Sequence, residues 1–296
     1  MKKIRLFETI KQSPRWESFR RMWYKFSRSP LSIAGLVISA ACIFIGLFAP
    51  YIVPYPEHAG YFHNYADAFI SPFQNSNYIF GTDEYGRDTL TRTMLGFQYS
   101  LTMAGVVLSL VVAPGVILGL IAGYHKDRWI DMVIMRICDI FIAVPPLVLA
   151  LAICSVLEPN VFNAMMAVSL MWWPWYARLT YNVSSAMRNE YFVQAAEVMG
   201  ASTFHIIFKE ILPNCLGPIL TKVTLDVGWV ILIGSALSYV GLGAQPPTPD
   251  LGTMVADGGN WMPDFWWMSM FPALGIAIII LGFNLLGDGI RDMFTE

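Results

Sequence analysis

Long apolar runs separated by shorter polar stretches set the pattern of this chain. Six runs are of spanning length, near residues 31–53, 97–123, 132–157, 162–181, 214–241 and 266–287. At ~1.5 Å per residue, about 20 apolar residues cross the ~30 Å hydrocarbon core of a bilayer. Inside hydrocarbon each backbone amide has to be paired within its own segment, so each run predicts a helix. A closed barrel would need segments of about ten residues with alternating polarity, and the sequence has none. The pattern predicts an all-α membrane protein with six transmembrane helices.

The polar intervals then become loops. Residues 54–96 form one long loop and 243–263 a second, rich in Pro and Gly. A third interval, Gln194–Asn214, is polar enough to be wet yet lies between two apolar runs. A loop of that size in a compact bundle is usually functional. Its pattern predicts two short helices. Gly200 breaks the first, Ser202 or Thr203 caps the second, and Pro213 follows the second's end. Ile206, Ile207, Ile211 and Leu212 give the second helix an apolar face. A helix lying on the membrane would want more Lys and Arg than Lys209, so a docking pair fits better.

Composition agrees with a membrane location. Of 296 residues, 56% are hydrophobic and only 14% charged, against about 25% charged in ordinary soluble domains. The basic start resembles the head of a signal peptide, but the run Leu31–Val53 has 23 uncharged residues, against about 7–15 for such a signal. It is therefore read as the first span.

Charge placement sets the topology. Lys2, Lys3, Arg5, Lys11, Arg15, Arg20, Arg21, Lys25 and Arg28 precede the first run, and Lys126, Arg128, Arg188, Lys209 and Arg291 fall on the same side. Arg136, Arg178 and Lys222 lie near that side, leaving Arg87 and Arg92 on the other. The positive-inside rule makes both termini cytoplasmic. The domain plan is a cytoplasmic segment 1–30, a first span 31–53, an outer loop 54–96, a core 97–289 and a tail 290–296. Within the core, residues 188–213 make the cytoplasmic loop.

Candidate chemistry is sparse. Cys42, Cys138, Cys154 and Cys215 lie in or beside apolar runs without metal or disulfide spacing, and read as small buried hydrophobes. The four histidines are scattered and no nucleophile–base pair emerges, so the chain reads as a non-enzyme without a metal site. Gly115, Gly119 and Gly123 form a small-residue stripe behind Pro114, for close helix approach in the bundle or at a subunit seam. Trp172, Trp173 and Trp175 around Pro174 form either a substrate cage or a Pro kink with packed aromatics. Trp261, Trp266 and Trp267 suit an outer aromatic belt. Asp139 and Asp226 are costly in a membrane. Each either is neutralised on its own helix, by Arg136 and Lys222 respectively, or, for Asp226, faces a translocation path. In the outer loop, Gly81, Thr82, Asp83, Gly86, Arg87 and Asp88 order a helix entry. Asp88 caps that helix, and Arg92 is placed to pair with it.

The loop Gln194–Asn214 resembles the EAA signature of ABC importer permeases, E-A-A-x3-G followed by I-x-L-P. Ala195, Ala196, Gly200, Leu212 and Pro213 match, while Gln194 replaces the Glu and Glu210 the Ile. GTDEYGRDTLTR, GLGAQPPTPDLGTM and FNLLGDGIRD are similar to the dipeptide/oligopeptide/nickel branch, in particular its C-type subunit. The resemblance implies a type I importer permease fold in a prokaryotic inner membrane, carrying peptides, nickel or a similar solute. It also implies a second homologous permease, two ATP-binding subunits and a solute-binding protein, besides membrane lipid and without nucleic acid. No cofactor would be held by this chain; ATP and Mg would sit on the ATPases, since G-x4-G-K-[ST] is absent here. Coupling would fall on Gln194, Ala195, Ala196, Glu197, Met199, Gly200, Ala201 and Ser202. Two other classes are weighed against this. An ion-gradient-driven secondary transporter would show an inverted repeat with broken helices, and neither is clear; a membrane scaffold would not need the loop.

Overall fold

The computed structural model describes residues 14–294, and all of its regular elements are helical; the only β feature is one isolated bridge, Thr82 to Asp88. Lys2, Lys3, Arg5, Lys11 and the end of the tail lie outside the described residues. Helix α1 (Pro14–Arg28) is followed after one residue by α2 (Pro30–Ile52). An outer segment with two 3-10 turns, Pro56–Ala59 and Tyr65–Asp67, leads to α3 (Thr89–Tyr124). Then come α4 (Trp129–Ile142), α5 (Pro146–Cys154), α6 (Val161–Met187) and α7 (Tyr191–Val198). The chain continues through α8 (Thr203–His205), a π-helical stretch Ile206–Ile211, α9 (Leu212–Tyr239), α10 (Leu251–Gly259) and α11 (Trp267–Phe294).

Four described stretches are long and apolar enough to span a membrane: Pro30–Ile52, Thr89–Tyr124, Thr203–Tyr239 and Trp267–Phe294. The bent pair α4 and α5 makes a fifth if it counts as one span. The expected run 132–157 is thus not one straight helix: α4 and α5 meet at 83°. The break contains Pro145 and Pro146, which lack amide donors and push the preceding residue out of the helical region. The sixth expected span, α6, has 27 helical residues but falls short of that apolar standard. Two of its polar side chains face α3: Thr180 Oγ1 donates to Val116 O at 3.2 Å and Ser184 Oγ to Leu120 O at 3.1 Å.

The core centres on the packing of α3 against α6. The glycine stripe of α3 forms this seam within the chain. A Cβ on Gly115 would lie 2.6 Å from Trp173 O, and one on Gly123 would lie 2.7 Å from Tyr181 O. At Gly119 the Ala177 carbonyl sits closer still. Backbones this near gain dispersion contacts that any larger side chain would remove. Pro174 sits buried inside an unbroken α6. Around this pair, α9 packs on α3 and α6, and α11 packs on α2 and α9. All four cysteines are free and buried, as expected.

Helix α3 begins at Thr89, ahead of the apolar run near 97, with Asp88 capping it as expected: its side chain accepts the Thr91 amide at 2.8 Å. One local expectation changes. Pro213 does not end the loop's second helix, which runs on into α9. The π turn ahead of it bonds Leu212 N–H to Ile207 O. The wider turn takes up the mismatch that a proline ring makes with an ordinary i−4 carbonyl.

Gly119→Leu is expected to force α3 and α6 apart, at the upper end of the roughly 1–3 kcal/mol typical of overpacking. Thermal melting of the detergent-solubilised chain should show a lowered midpoint. Gly105→Ala, where a Cβ meets nothing within 4 Å, should not lower it, since Ala favours a helix over Gly.

Candidate functional site: the cytoplasmic loop, the buried Asp226 pair and the outer loop

The loop expected to dock a partner turns through a sharp elbow. Helix α7 ends in a left-handed glycine: Gly200 has φ +82. Gly200 N–H donates to Glu197 O at 2.9 Å and Ala201 N–H to Ala196 O at 3.0 Å, the paired bonds of a Schellman stop. Ser202 then caps the next turn, its hydroxyl accepting His205 N–H at 3.3 Å. A Cβ on Gly200 would meet no atom within 4 Å, so the backbone, not crowding, selects glycine there.

The elbow is pinned from beneath and open above. Val193, Ala196, Ile206, Ile207 and Ile211 are buried in the main core; Leu212 is half-buried and Pro213 exposed. The Tyr124 hydroxyl at the end of α3 donates to Glu197 Oε1 at 2.8 Å. Gln194 Nε2 donates to Asn189 O at 2.9 Å. His205 Nε2 and Glu210 Oε1 lie 3.4 Å apart, five residues along the chain, which the wide π turn brings to one face. On the open side, Tyr191 and Val198 are each 88% exposed, Met199 81% and Phe204 69%. A polar loop that leaves four large apolar side chains in solvent is a candidate interaction site.

Asp226 is buried between α6 and α9. Lys222 Nζ stands 3.1 Å from its carboxylate, as the spacing predicts, and Trp172 Nε1 donates to it at 2.9 Å. The Trp172 bond was not foreseen, because 54 residues separate the partners. The tryptophan cluster therefore divides: Trp172 braces Asp226, while the Trp175 ring lies 6.0 Å beneath Lys222 Nζ. Lys222 and Asp226 form part of the wall of a cavity of about 550 Å³, with Trp229, Arg291 and Phe294. Asp139 is neutralised not by Arg136 on its own helix but by Arg178 of α6. A helix packed face to face outreaches an i,i+3 neighbour here.

The outer loop is organised by Asp83 and His58. Asp83 Oδ1 accepts the amides of Tyr85 and Arg87, each at 2.9 Å, and Oδ2 takes Arg87 Nε at 2.6 Å. The expected Arg92–Asp88 pair does not form. The cap holds Asp88 against its own helix start, and Arg92 turns to Asp83 at 3.7 Å, His58 O at 3.0 Å and Pro247 O at 3.3 Å. Gly81 and Gly86 both take φ +74, and the Thr82 carbonyl accepts Trp267 Nε1 at 3.1 Å. Trp267 is buried by that bond instead of joining Trp261 and Trp266 in an exposed belt.

His58 escaped sequence reasoning because a lone histidine carries no local signal. It is 2% exposed, and its Nδ1 accepts the Asp88 amide at 2.8 Å. An amide only donates, so Nδ1 has to be unprotonated. Burial lowers the His58 pKa below its usual 6.5. Protonation is thus disfavoured in the folded loop, whose stability is complete above the unfolded value and is lost as pH falls through the folded one. Limited proteolysis of the outer loop should be faster at about pH 5 than at about pH 7.5, and a His58→Asn chain should lose that difference.

Comparison with known proteins fits this architecture. Residues 115–296 match the family of binding-protein-dependent transport system inner membrane components, and residues 18–77 match the N-terminal TM domain of oligopeptide transport permease C. The chain is 36% identical over 280 residues to a di/tripeptide transport system permease of Pseudomonas aeruginosa, covering 92% of this chain and 90% of that one. It is 38% identical over 265 residues to a probable D,D-dipeptide transport system permease of Escherichia coli, covering 90% and 87%. A glutathione transport system permease of Pectobacterium atrosepticum is 34% identical over 276 residues, covering 93% and 89%. An ion-gradient-driven carrier is not what these matches describe. The chain belongs to the binding-protein-dependent transport system inner membrane components, the bacterial inner-membrane permease subunits of ABC importers.

Proposed function

We propose that this chain forms half of a translocation pathway for short peptides and takes its power stroke through the elbow Gln194–Ser202. The observation that carries the proposal is the contrast between side chains in and flanking that elbow. Val193, Ala196 and the isoleucines fix it to the bundle while Tyr191, Val198, Met199 and Phe204 stand in solvent. A separate ATPase subunit would receive those side chains in a groove, and nucleotide-driven closure of an ATPase pair would move them. Hydrolysis, with its ATP and Mg, then belongs to those subunits and not to this chain.

The remaining partners follow from incompleteness. One chain supplies one elbow and one set of helices, so a second, homologous permease completes the pathway. Both termini and the elbow are assigned to the cytoplasm by the basic residues. The segment 54–88 then faces outward, where a solute-binding protein would deliver cargo. Peptide cargo is favoured over nickel because the relatives' names are those of dipeptide, di/tripeptide and glutathione systems. Asp226 and Lys222, on the cavity wall, are assigned to the route.

Two outcomes are expected in cells that carry the complete system. Gly200→Asp should leave the chain in the membrane but lower peptide uptake by about tenfold or more. The left-handed turn costs a side chain about 1–2 kcal/mol, and a charge is added at the docking face. Full uptake would refute docking through the elbow. Asp226→Asn at normal protein abundance should also reduce uptake; unchanged transport would remove Asp226 from the route.

A further inference from the structure

From α1 we infer a binding site for anionic phospholipid on the cytoplasmic leaflet. Helix α1 ends one residue before the spanning helix α2, so it lies at the level of the lipid headgroups. Its described side chains include the cations Arg20, Arg21, Lys25 and Arg28 and the acid Glu17, which lies 3.9 Å from Arg21 in an exposed pair. The basic residues share one side of the helix, and Met22, Trp23 and Phe26 share another. Such an amphipathic basic helix lies in the interface plane, held by buried apolar area and by attraction to anionic headgroups.

The structure fixes how this helix sits. Phe26 is 4% exposed, and its ring packs where a Cβ on Gly289 of α11 would come within 2.7 Å. That contact ties α1 to the inner end of the bundle. Trp23 stacks on Phe26 with ring centroids 5.7 Å apart yet remains 49% exposed, and Tyr24 is 54% exposed. Half-exposed Trp and Tyr beside cations are the side chains that favour a headgroup layer. Arg20, Arg21, Trp23, Tyr24 and Lys25 line the open surface of α1 together. In α2, which follows after one residue, Leu31 and Val37 expose 65% and 61% of their surfaces. A phosphate among the cations with acyl chains along α2 satisfies both surfaces at once. A docked acidic protein would satisfy only the first.

The site reaches the moving parts. Phe294, at the end of α11, packs where a Cβ on Gly217 would come within 2.8 Å, and Gly217 lies in α9 just after the cytoplasmic elbow. Lipid held by α1 would thereby steady the inner ends of α11 and α9.

The test uses the full chain reconstituted with phosphatidylcholine and phosphatidylglycerol, with lipid selectivity read by spin-labelled lipid exchange. The natural chain should prefer phosphatidylglycerol by about tenfold or more, since each cation near the surface contributes about fivefold, or about 1 kcal/mol. The triple variant Arg20→Gln, Arg21→Gln, Lys25→Gln keeps residues that tolerate a helix and, with Arg28 still in place, should lose at least about fivefold of that preference. Preference in the natural chain should also weaken between about 0.05 and 0.5 M salt, a readout independent of whether the variant folds. Unchanged selectivity in the variant, or a salt-insensitive one in the natural chain, overturns the site. So does a variant that loses a co-purifying protein partner while keeping its lipid preference. Transport is not part of this readout, so its result stands apart from the coupling role of the elbow.

Discussion

The near-contact of the α3 and α6 backbones at Gly115, Gly119 and Gly123 is the constraint on which the remaining geometry depends. Between helices surrounded by lipid there is no gain from removing apolar surface from water, so close packing and interhelical hydrogen bonds have to hold the pair. The glycines supply the approach, and Thr180 and Ser184 of α6 donate to carbonyls of α3 at positions made accessible by it. From this seam the chain leaves in two useful directions. Helix α3 delivers Tyr124 to Glu197, and α6 delivers Trp172 to Asp226 and feeds the elbow that begins at Tyr191. A shift of one helix against the other would therefore be felt at both sites.

The two faces of the bundle are built on different physics. On the outer side the backbone is irregular, and buried hydrogen bonds replace helical ones. Asp83 serves two amides and a guanidinium, and His58 serves the amide of Asp88. Removing either leaves buried polar groups without partners, which is costly. On the inner side, order comes from caps and buried isoleucines, and the polar atoms are left near water. That division is what the proposed coupling through the elbow would require of the two faces.

Much of this was legible in the sequence wherever the cause is local. The glycine stripe, the Asp88 cap, the Gly200 stop, the Ser202 cap and the Lys222–Asp226 pair all depend on residues within four or five positions. What escaped depends on distant parts of the chain. Trp267 meets Thr82 across 185 residues and Trp172 meets Asp226 across 54. Arg178 captures Asp139 because α6 packs on α4, which no helical period announces. Helix α6, expected as a span, falls short of the apolar standard for a related reason: polar side chains such as Thr180 and Ser184 face another helix. Pro213 misled because a π turn, which has no sequence signature of its own, carried the helix through it.

The claim that matters most is that motion enters through the elbow, and disulfide or bifunctional cross-linking tests it directly. The native cysteines are all buried, so a single Val198→Cys chain carries one accessible thiol at the docking face. In membranes containing the assembled transporter, that thiol should cross-link to the ATPase subunit, with a yield that changes when nucleotide is added. A Tyr61→Cys chain, with its thiol on the outer loop, should not cross-link to it. Absence of any Val198→Cys product from an intact, ATPase-containing complex would contradict the account.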